Sequence, residues 1–464
     1  MKLDSIRRFL TLGLLRMGGS TALLSAVLLS GCASLVQGPA TDSRTPVVFV
    51  HGNGDSASNW ITTLWRFESN GWPRSHLHAV DFPLPLARDE DDKPQAGRSG
   101  TDEQMKYLAQ EVDAILRRTG ARQVALVGNS RGGYAIRNYI RNGGGASKVS
   151  HVVLGGVPNH GVWATDFRLN SEFNGAGPFL TTLNSPQAGG DLEVTPGPRW
   201  LTLRSQGNDK FAQPDGRWIG QPNLKTNVNE AGPALKGAQN MVLGKLDHRE
   251  VSYHADAFVQ TWTFVTGRAP LQGGLIPETS VVLDGRVTAY EGASVTNQPL
   301  AGARVEIFKL NPQTGERIGN AVHGKTVGAD GRWGPLTTDS SSPHEFVVEA
   351  PGFATTHIFR SPFPRSSDIV NLRPRRMADA DRNAGSVVVM ERPRGYYDLS
   401  RYQMQLDGKP LAGVNEGVAG VASARVVVPA SPSRPVVALF ERERLVVRNW
   451  PTGENRLVIA ELHY

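Results

Sequence analysis

Residues 124–133 limit what this chain can fold into more than any other segment. An apolar run ends at Gly128, Ser130 follows two residues later, and two glycines lead into a stretch with apolar residues at helical spacing. The pattern predicts a buried strand, a sharp turn at Ser130 and a helix. Side chains at Gly128 or Gly132 would collide with the neighbouring strand and helix, so glycine at both positions permits the turn.

The segment also has the form G-x-S-x-G, which between a strand and a helix is typical of a nucleophile elbow. The strained turn would leave the Ser130 hydroxyl exposed at the end of the sheet. The bare pattern is weak evidence in a chain with 51 glycines. Its strand-turn-helix context is what makes Ser130 a candidate nucleophile.

Length and charge restrict the classes of function. The chain has 464 residues and a formal net charge of +7, and its length suits two or three domains. Residues 1–31 carry a net +3 of this charge, which leaves about +4 on the rest. No block of Lys and Arg with interleaved aromatic residues occurs, so no nucleic-acid partner is predicted.

The first 31 residues have the features of an export signal. Basic residues precede an apolar run over residues 21–30, which is too short to remain as a membrane span. The run ends in Leu29-Ser-Gly-Cys32, and Cys32 is the only cysteine. This end resembles the lipobox of bacterial lipoproteins. The resemblance implies cleavage before Cys32, acylation of Cys32 and, because Ala33 follows, an anchor in the outer membrane.

Two questions about the signal stay open. An ordinary signal peptide with a chance cysteine would have the same basic and apolar parts. Export could follow the general secretory route or the twin-arginine route, since Arg7-Arg8 precedes Phe9 without the usual spacer. Residues 32–44 are small and polar and are predicted to form a tether. Without a second cysteine the exported protein has no internal disulfide, so packing must stabilise it.

Strand and helix patterns alternate over residues 45–267. This alternation predicts an α/β domain with a mostly parallel sheet covered on both faces. A helix is predicted from Thr101 to the closing Gly120, with a capping box between Thr101 and Gln104, and another over 256–265. Strands are predicted at 46–50, 77–82, 124–127, 152–154, 200–203 and 241–243.

An all-β pattern follows a Gly- and Pro-rich linker at 268–279. Residues 280–374 are predicted to form one β domain, and 375–464 either a second β domain or the second half of one sandwich- or barrel-like C-terminal region. We find no cluster of titratable residues in 280–464, so this part is expected to bind or position rather than do chemistry. Its predicted strands are 281–290, 303–308, 345–349, 386–390, 402–406, 424–428, 436–440 and 457–462.

A serine nucleophile needs a base, an orienting acid and an oxyanion hole. The acid candidate is Asp209, just beyond the strand at 200–203, and Asp215 in the following Pro/Gly loop stays open as the alternative. The base candidate is His248, just past the strand at 241–243. Its neighbour Asp247 is expected to face solvent.

The other histidines fit the base role less well. His254 is expected on a helix face, and His160 comes too early in the usual order of nucleophile, acid and base. His51-Gly-Asn-Gly54 resembles the H-G-x-G motif of lipases and esterases, in which the histidine is structural. That resemblance implies an oxyanion hole made by the backbone N–H groups of Asn53 and Arg131.

Together these motifs, spread over residues 45–266, resemble the α/β-hydrolase family of lipases and esterases with a small cap. That family usually has His at the position of Asn129 and a small or apolar residue at Arg131, a difference that bears on the polarity of the pocket. Residues 299–305 and 328–334 resemble a transthyretin-like or carboxypeptidase-regulatory-like β domain. The layout is similar to that of an archaeal lipase whose hydrolase domain precedes a β domain implicated in lipid binding.

The resemblance implies a serine carboxylic-ester hydrolase that works through an acyl-enzyme without a cofactor or metal. Loops 82–100 and 158–198 are expected to form the cap and an acyl pocket. Three alternatives share the motifs: cleavage of another acyl bond (polyester, lactone or amide), acyl transfer to an alcohol, and a non-catalytic surface lipoprotein that only binds. The expected partners are an ester or lipid substrate and a membrane. The chain length of the acyl group, the natural substrate and the oligomeric state stay open.

Overall fold

A computed structural model describes residues 44–186 and 190–464. The predicted signal peptide at 1–31, the lipidation of Cys32 and nearly all of the tether lie outside the described residues and stay predictions. Within the described ranges, no helix combines the length and the apolar character that crossing a bilayer requires.

The first part of the chain alternates strands and helices. In chain order its elements are β1 (Val47–Val50), α1 (Ile61–Ser69), β2 (Leu77–Val80), β3 (Leu86–Ala87), β4 (Arg98–Ser99), α2 (Thr101–Thr119), β5 (Val124–Asn129), α3 (Arg131–Asn142), β6 (Val149–Gly155), α4 (Pro178–Asn184), β7 (Arg199–Arg204), β8 (Arg217–Trp218), β9 (Gln221–Lys225), β10 (Gln239–Val242), α5 (Glu250–Tyr253) and α6 (Ala255–Thr266). Short 3₁₀ turns cover Ala57–Trp60 and Arg74–His76.

Six of these strands form one parallel sheet in the order β10-β7-β6-β5-β1-β2. Each of the six predicted strands overlaps one of them, so the predicted α/β sheet is confirmed. The chain builds outward from β1 to β2 and then returns to build in the other direction from β5. Ligands of open α/β sheets bind at the carboxyl ends of the strands near such a reversal.

Both faces of the sheet are buried. Along β1, Val48 and Val50 face a core with α2 and α3, while Val47 and Phe49 face a second core with α1 and α6. The second core is rich in aromatic residues, with Phe67 in contact with Phe49, Phe258 and Trp262. Because β1 is apolar on both sides, this part of the sheet needs helices on both faces.

The start of α2 differs from the predicted capping box. The backbone N–H of Gly100 donates to Glu103 Oε2 at 2.6 Å, so the cap lies one residue earlier than the Thr101–Gln104 pair. The Thr101 hydroxyl and N–H both donate to the carboxylate of Asp91 instead. The partner of Thr101 is therefore Asp91 of the preceding loop, and not Gln104 of the same helix as the sequence predicts.

The second part of the chain is mostly antiparallel β structure. Its strands are β11 (Ser280–Leu283), β12 (Thr288–Glu291), β13 (Ser294–Pro299), β14 (Arg304–Lys309), β15 (His323–Thr326), β16 (Leu336–Asp339), β17 (His344–Glu349), β18 (Thr355–Arg360), β19 (Ser386–Glu391), β20 (Met404–Leu406), β21 (Ser423–Val428), β22 (Pro435–Phe440), β23 (Glu443–Arg448) and β24 (Arg456–Glu461). A seven-stranded sheet, β15-β14-β17-β18-β24-β19-β21, takes strands from both 280–374 and 375–464.

The prediction of a single strand at 281–290 is wrong, because the strand is interrupted between β11 and β12. At the break, Asp284 N donates to Ser367 O and Val370 N donates to Asp284 O. Gly285 lies so close to Val370 that a Cβ would be 2.1 Å from its carbonyl oxygen. A crossing segment, distant in sequence, therefore splits the strand.

The β region packs directly against the α/β part. Trp65 Nε1 on α1 donates to Ser366 O at 3.1 Å, and Arg394 Nη2 donates to Ser58 O at 2.8 Å. Ile61 and Trp65 belong to the same apolar cluster as the buried residues of β11, β14 and β17. The two parts thus share a continuous core.

Candidate active site

Ser130 stands in the sharp turn between β5 and α3. Its backbone is strained, with φ 50° and ψ −123°, a conformation that costs a non-glycine residue free energy and is common at functional sites. A Cβ on Gly132 would lie 2.5 Å from Val50 O on β1, and one on Gly128 would lie 2.7 Å from Ile136 Cδ1 on α3. The predicted collisions are therefore confirmed.

The histidine and aspartate proposed from sequence lie side by side. His248 Nδ1 is 2.8 Å from Asp209 Oδ2, and both residues are buried. Asp209 follows β7 and His248 follows β10, so both stand at the carboxyl edge of the sheet near Ser130. Asp215 is elsewhere: its carboxylate accepts from Arg217 and is exposed to solvent.

Asn129 links the serine turn to the histidine turn. Its Nδ2 donates to Gly155 O (3.2 Å), His248 O (3.3 Å) and Ser252 Oγ (2.9 Å). The Asn129 side chain therefore donates a hydrogen bond to the backbone carbonyl of His248, and His248 lines the same cavity as Ser130.

The two backbone groups predicted to form an oxyanion hole lie at the ends of adjacent strands. Asn53 follows β1, lines the cavity, and is fixed by its Oδ1, which accepts from Ala87 N at 2.8 Å. Arg131 is the first residue of α3, so its N–H precedes the first intrahelical hydrogen bond. The positive end of the helix dipole points the same way.

His51 has a structural environment. Its Nδ1 donates to Gly52 O at 2.9 Å and its Nε2 accepts from Phe82 N at 3.1 Å. Burial lowers the pKa of His51, which favours the neutral ring that this pair of hydrogen bonds requires. The histidine thus fixes the loop that carries Asn53.

A cavity of about 250 Å³ joins these residues. Ser130, His248 and Asn53 line it, and loops 82–100 and 158–198 contribute to its walls as expected from the sequence. Part of its lining is aromatic: Trp163 stacks on Trp218 with centroids 5.6 Å apart, and the Phe211 ring meets the His248 ring edge-on at 4.6 Å. Charged residues also line it, namely Asp55, Arg88, Asp89, Arg98, Arg168 and Arg249.

Residues 47–286 match the alpha/beta hydrolase family, and residues 279–377 match the lipase C-terminal domain. The first match covers more than half of the chain. The chain belongs to the alpha/beta hydrolase family. This hydrolase also carries a C-terminal β region, which contains the part that matches the lipase C-terminal domain. The transthyretin-like resemblance of that region stays a prediction.

Several solved structures are similar to this hydrolase. Mature lipase BlEst2 of Bacillus licheniformis is 20% identical, with a TM-score of 0.35 over 48% of this chain and 93% of that chain. The propeptide form of the same lipase is 14% identical, with a TM-score of 0.36 over 87% and 96%. Aspergillus fumigatus lipase B is 17% identical, with a TM-score of 0.35 over 50% and 55%.

The side chain of Arg131 does not make the pocket of this hydrolase polar. It is 1% exposed and forms a two-point ion pair with Glu172, Nε–Oε1 at 2.5 Å and Nη2–Oε2 at 2.7 Å. The guanidinium also donates to Pro85 O and Ser99 O. Arg131 therefore ties both cavity loops to the turn that carries Ser130.

Replacing Glu172 with glutamine is expected to reduce the free energy of unfolding by about 3–5 kcal/mol, because it leaves a buried guanidinium without its counter-charge. Burial raises the pKa of Glu172, and the attraction of Arg131 opposes that rise. Urea unfolding followed by tryptophan fluorescence measures the loss. Asp191→Asn is the control, since its pair with Lys236 is exposed and its loss should change little. Equal effects in the two variants would contradict this account of Arg131.

Three sequence expectations about the remaining charged residues are wrong. Asp247 does not face solvent; it is fully buried and accepts from Tyr396 N at 2.7 Å. His254 is not on a helix face; its Nδ1 caps α6 by accepting from Asp256 N. Residues 280–464 do contain titratable clusters, one of which is buried around Glu345 with His357 and Arg317.

Sequence reasoning did not predict Phe211, Trp218 or Tyr396 in the cavity wall. Phe211 lies on the loop after β7, Trp218 lies on β8, and Tyr396 comes from the C-terminal region. For Phe211 a signal existed, since it lies two residues past Asp209. For Tyr396 no local signal existed, because only the packing of the two parts brings it to the cavity. His160, set aside from the sequence, pairs with Glu193 away from this cavity.

Proposed function

We propose that this protein is a serine carboxylic-ester hydrolase in which Ser130 is the nucleophile, His248 the base and Asp209 the orienting acid. The observation that carries the proposal is the 2.8 Å contact between His248 Nδ1 and Asp209 Oδ2, on a cavity shared with the strained Ser130. Asn53 and Arg131 supply the backbone N–H donors for the oxyanion.

The proposed reaction has two halves. His248 Nε2 takes the proton of the Ser130 hydroxyl as Oγ attacks the ester carbonyl carbon, and the oxyanion that forms accepts from the two N–H groups. The intermediate collapses to an acyl-serine as His248 returns the proton to the leaving alcohol. Water, deprotonated by His248, then attacks the acyl-serine, which releases the acid and restores Ser130. Asp209 stabilises the charged imidazole throughout.

The cavity favours a short or medium acyl chain. Its volume of about 250 Å³ is below the range of about 300–1,000 Å³ that is usual for ligand pockets. The aromatic residues of the lining, with Trp163 and Trp218, suit the apolar acyl group. The charged residues of the lining suit a polar alcohol part of the ester.

The test is hydrolysis of p-nitrophenyl esters with acyl chains of two to sixteen carbons by the full chain in detergent. We expect kcat/KM to be highest for chains of about four to eight carbons. Trp218→Ala opens one wall and should move the optimum to longer chains. Ile219→Ala, a neighbour that does not line this cavity, is the matched control. Inactivity across the panel, with cleavage of amides or lactones instead, would contradict the ester assignment.

A further inference from the structure

The carboxylates of Asp247 and Glu250 accept hydrogen bonds from the backbone of the turn that carries His248. Asp247 Oδ1 accepts from Arg249 N at 2.8 Å and from Glu250 N at 2.9 Å. In return, Asp247 N donates to Glu250 Oε2 at 2.9 Å. The position of the imidazole therefore depends on where these two carboxylates are held.

The C-terminal β region holds both of them. Asp247 Oδ2 accepts from Tyr396 N at 2.7 Å, and Arg392 Nη1 lies 3.6 Å from it. Glu250 Oε1 accepts from Arg392 Nη2 at 2.6 Å and from the Tyr402 hydroxyl at 2.5 Å. All three donors belong to the segment 392–402, more than 140 residues away in sequence.

Electrostatics makes this dependence strong. Asp247 and Glu250 are 0% and 1% exposed, and buried carboxylates are costly unless they are paired. Burial raises the pKa of Asp247. Burial would also raise the pKa of Glu250, but Arg392 and Arg401 outweigh it and hold that pKa low. The cations that keep Glu250 ionised thus come from the C-terminal region.

A second set of hydrogen bonds links the segment 392–402 to the loop that carries Asn53, one of the proposed oxyanion donors. Arg249, next to His248, donates from Nη1 to Pro393 O at 3.0 Å and from Nη2 to Asp55 Oδ1 at 2.6 Å. Asp55 is two residues past Asn53. The segment 392–402 therefore braces both the histidine turn and the loop that begins at the end of β1.

We propose that the segment 392–402 positions His248 for catalysis, with Arg392 as its main positioning residue. The inference rests on the proposed function and goes beyond it: the C-terminal β region is part of the active site rather than a separable binding module. Tyr396 of the same segment also forms a wall of the cavity. Arg392 does not line the cavity, so its effect passes through Glu250 and Asp247.

The test compares Arg392→Gln with wild type in the full chain. A turn that is no longer held should lower kcat by about 10- to 10²-fold, since displacements of this kind cost that much, while KM stays within about twofold. The rate of Ser130 labelling by a fluorophosphonate should fall in parallel, because labelling needs the same base. Arg392→Lys keeps the charge and should recover part of kcat.

Arg434→Gln is the control, because its ion pair with Asp407 lies elsewhere in the β region and its loss should leave kcat unchanged. If Arg392→Gln does not fold, Tyr402→Phe decides: removal of one hydrogen bond to Glu250 should lower kcat at an unchanged melting temperature. A folded Arg392→Gln with wild-type kcat, a change in KM alone, or a Tyr402→Phe variant with wild-type kcat would overturn the inference. Failure of the proposed function is distinct, since wild type itself would then neither hydrolyse esters nor be labelled.

Discussion

Ser130→Ala is expected to lower kcat for ester hydrolysis by about 10⁴- to 10⁶-fold, the loss typical when a serine nucleophile is removed. Without Oγ no acyl-enzyme forms, and only the oxyanion donors and substrate binding remain to assist water. The fold should persist, because alanine occupies the same strained backbone with φ 50° and fills no more space. Initial rates on the preferred p-nitrophenyl ester, with circular dichroism of the same samples, measure both quantities.

Ser171→Ala is the matched control, since Ser171 is another serine that lines the same cavity. It should keep most of the activity. A Ser130→Ala variant that retained more than about a tenth of wild-type kcat would exclude Ser130 as nucleophile, because that loss is far below the effect expected of the attacking group.

The second large effect is expected for Asp209→Asn, with kcat lowered by about 10⁴-fold. Asp209 Oδ2 accepts from His248 Nδ1 at 2.8 Å, which keeps the proton on Nδ1 and leaves Nε2 free to accept the serine proton. An asparagine amide at the same place would donate to Nδ1 and hold the ring in the wrong tautomer. The side chains are nearly equal in size, so packing should change little.

Asp215→Asn serves as the comparison, because Asp215 pairs with Arg217 at the surface. It should have wild-type kcat. Steady-state kinetics of both variants on one ester separates the two aspartates. A large loss in Asp215→Asn with a small loss in Asp209→Asn would reverse their assignment and require a loop movement on substrate binding.

Several features of the fold followed from local sequence. The turn at Ser130 was predictable because the collisions at Gly128 and Gly132 depend on residues close in sequence or on the adjacent strand. The central strands β1 and β5 of the parallel sheet were predictable because strands buried on both faces are apolar almost throughout. For the same reason Asp209 and His248 could be nominated, since catalytic groups of such sheets follow the carboxyl ends of the strands.

Other features depended on contacts between distant segments. In the sequence, Asp247 and its neighbour His248 are both polar residues of a loop. Only the packing of residues 392–402 against that loop buries Asp247. From the sequence, Arg131 was expected to affect the polarity of the pocket. In the structure it pairs instead with Glu172, 41 residues away. The sequence by itself determined the sheet, the strained serine and the order of the candidate groups, because local sterics and burial patterns specify them. The tertiary structure alone decided which aspartate meets the histidine and which C-terminal residues brace it, because loop paths and buried charge pairs are settled only when distant segments pack together.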